Sequence, residues 1–254
     1  LKILNWLYNI GLTKEDISSN NNYVLRLAAK KNHLELCKWL YGTFDLTKED
    51  ATSNDNEAFR YAAYVGHLEV CKWLYGTFDL TKEDATTRDN EAFRDAARYG
   101  HLELCKWLYG TFDLTKEDAT SDNNDAFCYA ADEGHLEVLK WIYSTFKLTK
   151  EDATSNDNKA FSWASSNGHL EVCIWIYTTF ELQNDYLTLY IEYAFKNAVE
   201  NGNLEMCKWL YTTFELQDIN IFYGCPNAFG YAAEKGHLEV CKWLHTTRDR
   251  KSVV

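Results

Sequence analysis

The sequence holds one proline, one methionine and only twelve glycines in 254 residues. So little punctuation excludes a fold of many short strands and tight turns, which needs Gly and Pro at its corners. No apolar run approaches the roughly 20 residues that span a bilayer. No signal-peptide pattern is visible at its start. Positive charge is also scarce: 26 Lys and Arg against 38 Asp and Glu leave a formal net charge of −12. That balance argues against binding nucleic acid through bulk charge, though it leaves room for a local basic patch. What is plentiful is aromatic surface. Nine Trp and seventeen Tyr, in a chain that is 46% hydrophobic and 25% charged, exclude disorder.

The aromatics are arranged periodically. GHLEVCKWLYGTF at residues 66–78 returns at 100–112 as GHLELCKWLYGTF. His33, His67, His101, His135, His169, Asn203 and His237 recur at one constant spacing, seven copies without a gap. Counting from that position, +1 is always Leu, +2 always Glu and +6 always Trp, from Trp39 to Trp243. Residues 1–16 read as the tail of a further copy. A 34-residue unit is too small to bury its own apolar face, whereas stacked units bury a continuous core. The expected architecture is therefore one elongated all-α solenoid over residues 1–254. A partial repeat at 1–20 is followed by units at roughly 21–54, 55–88, 89–122, 123–156, 157–190, 191–224 and 225–254.

Each unit resolves into local elements. In NEAFRYAAYVG, Asn56 reads as an N-cap; Ala58, Phe59, Ala62 and Ala63 fall at helical spacing, and Gly66 ends the helix. HLEVCKWLYGTF starts a second helix with Leu68, Val70, Cys71 and Leu74 as its apolar stripe, and Glu69 can pair with Lys72. LTKEDA then places a Thr before acidic residues, a helix start predicted in five copies.

The stretch AAYVGHLEVCKWL resembles the ankyrin repeat, whose two antiparallel helices carry a similar AAxxGHLEVVKLLL pattern. The likeness covers nearly the whole chain. Two departures stand out: EAFR at 57–60 replaces the family's TPLH, and FDLTKEDATS replaces its GADVNA hairpin, which implies that a short helical turn stands where the β-hairpin would be. Tetratricopeptide repeats share the 34-residue length but want longer first helices and a Pro near each repeat end. The LTKEDA unit also resembles repeats in ankyrin-like proteins encoded by large DNA viruses of amoebae, which would place the chain in host cytoplasm.

His67 and Cys71, four apart and repeated in four other copies, raise the question of zinc. The core reading is stronger. Position +4 is an inward Val in the ankyrin pattern, free Cys behaves as a small buried hydrophobe, and each unit offers two ligands where a tetrahedral site needs four. No metal and no cofactor is expected. Packed helices stand roughly 8–10 Å apart, too far for disulfides between equivalent Cys, which need Cα atoms within about 7 Å. Reduced thiols suit an intracellular, cytoplasmic compartment. The repeated His reads as a hydrogen-bonding residue, the Trp column as inter-unit packing, and the LTKED acids as caps. Catalysis needs one unique constellation of unlike groups, and near-identical units do not offer one, so no enzyme is expected.

What varies between copies can read a partner. The variable columns lie at −7, −6, −3 and −2 from the His register. The candidate partner-binding residues drawn from them are Arg26, Lys30, Lys31, Arg60, Tyr61, Tyr64, Arg94, Arg98, Tyr99, Tyr129, Asp132, Glu133 and Trp163. The ankyrin resemblance implies that first helices line the concave, binding face. The charge order predicts a groove with a basic first half, an aromatic centre and an acidic far end, suited to a protein segment; Tyr, Trp and Arg are the residues enriched at hot spots. The expected function is non-catalytic binding of a partner protein by a monomer. Self-association, and a metal or enzymatic role for the His/Cys pairs, are the alternatives. Segments 182–194 and 216–226 lose TKEDAT and gain apolar residues, which reads either as capping of the stack or as a second partner surface.

Overall fold

Each LTKEDA motif folds into one helical turn, and its threonine is the reason. In the computed structural model, Thr47, Thr81, Thr115 and Thr149 accept a hydrogen bond from the backbone N–H three residues on, while the Asp at that position accepts one from the Thr backbone N–H. This reciprocal cap satisfies two donors that a helix start leaves open. The structure describes residues 6, 8–9, 11–182, 188–214, 216 and 227–249, and no strand occurs among them.

The first helices of the units are α1 (Lys14–Lys30), α4 (Ser53–Val65), α7 (Thr87–Arg98), α10 (Ser121–Asp132), α13 (Ser155–Ser166), α15 (Thr188–Glu200) and α17 (Ala228–Glu234). The second helices are α2 (Leu34–Phe44), α5 (Leu68–Phe78), α8 (Leu102–Phe112), α11 (Leu136–Phe146), α14 (Leu170–Thr179), α16 (Leu204–Thr213) and α18 (Leu238–Asp249). The four-residue turns are α3 (Lys48–Ala51), α6 (Lys82–Ala85), α9 (Lys116–Ala119) and α12 (Lys150–Ala153). A fifth copy of the cap, Thr13 with Asp16, opens α1. The chain divides into two compact units, one of Leu1–Ala126 with Trp141–Lys147, the other of Phe127–Lys140 with Leu148–Val254.

In the first unit, α1 packs on α4 and α4 on α7, and each also packs on its own second helix. In the second unit, α13, α15 and α17 pack in the same order. The core follows the repeat. Phe59, Phe93, Phe127, Phe161 and Phe195 are fully buried, as are Cys37, Cys71, Cys105, Cys173 and Cys207. None of the described cysteines forms a disulfide. Each Trp of the repeated column is half-buried, and those from Trp73 to Trp243 meet rings of the preceding copy. Trp107 lies 6.3 Å from Phe59 and 5.9 Å from Tyr75. Aromatic contacts of this kind add about 0.5–1.5 kcal/mol each beyond burial.

Between α3 and the helical part of α4 the chain turns left-handed. Asn54, Asp55 and Asn56 have φ of 56°, 57° and 58°, and the trios 20–22, 88–90 and 122–124 do the same. Asn and Asp tolerate this region better than other non-glycine residues, which accounts for the SNDN and SDNN spellings. It also corrects the reading of Asn56 as an N-cap. Its amide is buried and donates to the Asp84 carbonyl of the next repeat at 3.1 Å. Asn90 repeats the bond to Asp118 at 3.2 Å.

The Lys of TKEDA reaches forward. Lys48 Nζ donates to the Asp79 carbonyl at 3.0 Å and pairs with Asp84 at 2.7 Å; Lys82 does the same with Asp113 and Asp118. Burial opposes the charge on Asp84, but bonds from Lys48 and from the Thr81 backbone and hydroxyl outweigh it, so its pKa lies below the ordinary 3.8. Asp50 and Asp118 are lowered in the same way. A depressed pKa means that the unfolded chain binds more protons. The stabilisation is complete above about pH 4 and is lost as pH falls through the folded values. Urea midpoints should therefore drop steeply below about pH 4, and Asp84→Asn should flatten that slope while lowering the neutral-pH midpoint. An unchanged slope in the variant would remove Asp84 from this account.

Ile191, one of the apolar residues in segment 182–194, is buried in the core. Leu187, Ile221, Phe222, Cys225 and Pro226 lie outside the described residues.

Candidate partner-binding face

The register places columns −3 and −2 where each first helix ends: Lys30 closes α1, Tyr64 and Val65 close α4, and Arg98 closes α7 with Tyr99 as its C-cap. Their carbonyls are held from the following repeat. His67 Nε2 lies 3.1 Å from the Lys30 carbonyl, and His101 Nε2 lies 3.2 Å from that of Tyr64. A carbonyl only accepts, so Nε2 carries the proton. Burial lowers the pKa of His101 and favours this neutral form. In this way the helix ends are fixed and their side chains are left towards solvent.

In the first unit Tyr64 is 38% exposed and its ring lies 4.6 Å from that of Tyr99. A hydrogen bond between their side chains, together with burial, pushes the Tyr99 phenol up to about 12. Lys31 is exposed, and the Lys30 ammonium sits 4.4 Å over the ring of Tyr61. The Arg98 guanidinium lies 5.5 Å over Tyr99. Asp95 is half-buried; burial, aided by the Glu91 charge, raises its pKa to about 6 against the pull of Arg94, Arg98 and Arg60.

The −7 arginines do not belong to this face. Arg60 is buried, donating to the Asp55 carbonyl at 2.7 Å, the Asn54 carbonyl at 3.1 Å and Glu91 at 2.6 Å. Arg26 is buried in the same arrangement with Asn20, Asn21 and Glu57. Arg94, mostly buried, donates to Asp122 at 2.6 Å. The guanidinium groups of Arg26 and Arg60 donate to carbonyls of the left-handed turn, and all three arginines clamp one repeat to the next. Tyr61 shares in this, since its hydroxyl bonds to Glu57.

The sequence carried a signal for this clamp that column-by-column reading missed. Arg26 with Glu57 and Arg60 with Glu91 share one constant offset along the chain, whereas Arg94, with Asp125 at that offset, pairs with Asp122 instead. Where the Arg is lost, at Cys128, the acid is lost too, replaced by Lys159.

In the second unit Tyr129 and Trp163 are half-buried, their rings 5.5 Å apart and tilted, with the Lys159 ammonium 4.2 Å over Trp163. Lys159 was absent from the expected set because it stands at −10, outside the variable columns chosen. Asn167 donates to the carbonyl and carboxylate of Asp132 at 3.0 and 2.7 Å, while Glu133 is exposed. The structure thus brings Tyr64 together with Tyr99 in one unit and Tyr129 with Trp163 in the other.

The His and Cys of one copy point apart. Cys71 is buried in the core while the His67 ring turns to Lys30. Burial drives the Cys71 and Cys105 thiols far above the ordinary range and pushes Cys37 up to about 12, which disfavours the thiolate that metals and electrophiles require. Among the described residues no group of three or more His, Cys, Asp or Glu could hold a metal ion. No helix among them is long and apolar enough to cross a membrane.

A family model described as ankyrin repeats (3 copies) matches residues 1–84 and 93–186, and one described as ankyrin repeats (many copies) matches residues 195–245. The chain belongs to the ankyrin-repeat family. In these ankyrin repeats the EAFR segment, standing where the family has TPLH, supplies both sides of the clamp: Glu57 faces back and Arg60 faces forward. Ankyrin repeats are generally protein–protein interaction modules and are typically non-enzymatic. Among solved structures, an ankyrin repeat family protein from Legionella pneumophila is similar at 17% identity and a TM-score of 0.45, covering 94% of this chain and 76% of that one. No curated protein matches the chain.

Proposed function

We propose that this ankyrin-repeat protein binds a partner protein, without chemistry of its own, through the ends of the first helices within each unit. The observation that carries the reading is the Tyr64–Tyr99 pair. Two rings in edge-on contact, one of them 38% exposed, stand at positions that vary between copies while the surrounding scaffold does not. Rigid aromatic rings give large contact area at low entropic cost, which is why they dominate interface energetics. Tyr129 and Trp163 offer a similar pair in the second unit. The arginines expected at −7 leave the proposed set because their donors are used inside the stack. The mostly buried thiols, none of them in a disulfide among the described residues, support a reducing compartment for the protein.

Capture of the partner by immobilised protein should be lost when Tyr64, Tyr99 and Trp163 are replaced by Ala. Half-exposed residues contribute little to the core, so the melting temperature should move only slightly. Undiminished capture would mean that the surface lies elsewhere.

A further inference from the structure

Resting on that reading, we propose that the first unit's part of the face takes an acidic segment of the partner, with carboxylates at Lys30 and Lys31 and an apolar side chain against Tyr64 and Tyr99. At the −3 and −2 positions of its three copies stand Lys30, Lys31, Tyr64, Val65, Arg98 and Tyr99, without a carboxylate among them. The acids nearest in register are engaged inward: Glu57 pairs with Arg26, and Glu91 with Arg60. Asp95 is half-buried between repeats, where burial and the Glu91 charge disfavour its ionised form.

Among the described residues, no acid pairs with Lys30 or Lys31. The Lys30 ammonium rests on the Tyr61 ring, which holds it in place without cancelling its charge. A chain whose net charge is −12 therefore presents a local patch of the opposite sign beside the Tyr64–Tyr99 pair. Such a patch steers and orients an acidic partner. Neighbouring first helices lie roughly 8–10 Å apart, and an extended chain advances about 3.3 Å per residue. The apolar anchor should thus follow the acidic pair by about three residues.

The test uses the full chain and three fluorescein-labelled peptides, EDSSLF, KKSSLF and QNSSLF, read by fluorescence anisotropy. Only EDSSLF should bind, weakening about tenfold as ionic strength rises from about 0.05 M to about 0.5 M. Lys30→Glu with Lys31→Glu should weaken it at least tenfold with the thermal transition unchanged. Equal binding of KKSSLF or QNSSLF, retention of binding by the lysine variant, or no binding of any peptide at about 1 mM would overturn the proposal.

The same variants with the intact partner separate the two ideas. If Tyr64→Ala with Tyr99→Ala prevents capture and the lysine reversal does not, the face is correct and the acidic preference is wrong. If neither variant matters, the face itself is wrong and this inference falls with it.

Discussion

Replacing Arg60 by Met should lower folding stability by about 3–5 kcal/mol, the range for removing one partner of a buried ion pair. The Arg60 side chain is 3% exposed, and its guanidinium serves the Glu91 carboxylate and the carbonyls of Asn54 and Asp55. Met fills much of the same volume but leaves those oxygens unpaired, and the left-handed turn at 54–56 depends on that pairing. Urea unfolding measures the loss. Adding Glu91→Leu should return part of it, because the orphaned carboxylate goes as well. A surface role for Arg60 predicts a different result: stability within about 0.5 kcal/mol of the parent and weakened partner capture. That pattern would return Arg60 to the binding face.

Gly66→Ala is the second large effect, at about 2–3 kcal/mol, from two sources. Gly66 has φ of +81°, where an L-residue costs about 1–2 kcal/mol. A Cβ there would also lie 2.6 Å from the His101 ring. The ring must move, and its bond to the Tyr64 carbonyl, worth about 0.5–1.5 kcal/mol, goes with it. His101→Ala in the Gly66→Ala background should relieve the clash but not the backbone strain, recovering part of the loss. Repeat stabilities couple mainly between neighbours, so hydrogen exchange should quicken first in α4, α5, α7 and α8. An Ala variant as stable as the parent would show that the Gly–His contact is dispensable. The contact recurs at Gly134 with His169 and at Gly202 with His237, so the spelling GH records two needs at once: a positive φ, and room for the next repeat's imidazole.

The candidate face was legible in part. Tyr64, Tyr99, Tyr129 and Trp163 were recognisable because they vary while Leu, Glu and Trp in the second helix do not, and the structure pairs them. Arg26 and Arg60 were misplaced for a definite reason. Their column varies, but their partners Glu57 and Glu91 sit ahead of them on the next repeat. A column read alone cannot show that its charge is answered by another column, and an arginine satisfied from two sides reads the same as one in water. Asn56 was misread on the same grounds. A cap and a bridge both want a short amide, and only the sign of φ separates them.

From the residues alone came the constant period, the two helices of each repeat, the capped turn in five copies, the inward Cys column and the Trp column. These follow from spacing along one chain, because helical periodicity, capping and glycine punctuation are local physics. What only the tertiary structure decided was how each repeat grips the next. The Lys–Asp bridge, the Asn amide to a carbonyl, the Arg–Glu clamp and the Gly–His contact each join one copy of the repeat to its neighbour. Their existence depends on which helix faces come together and which carbonyls a left-handed turn exposes, so they become visible only once the repeats are stacked.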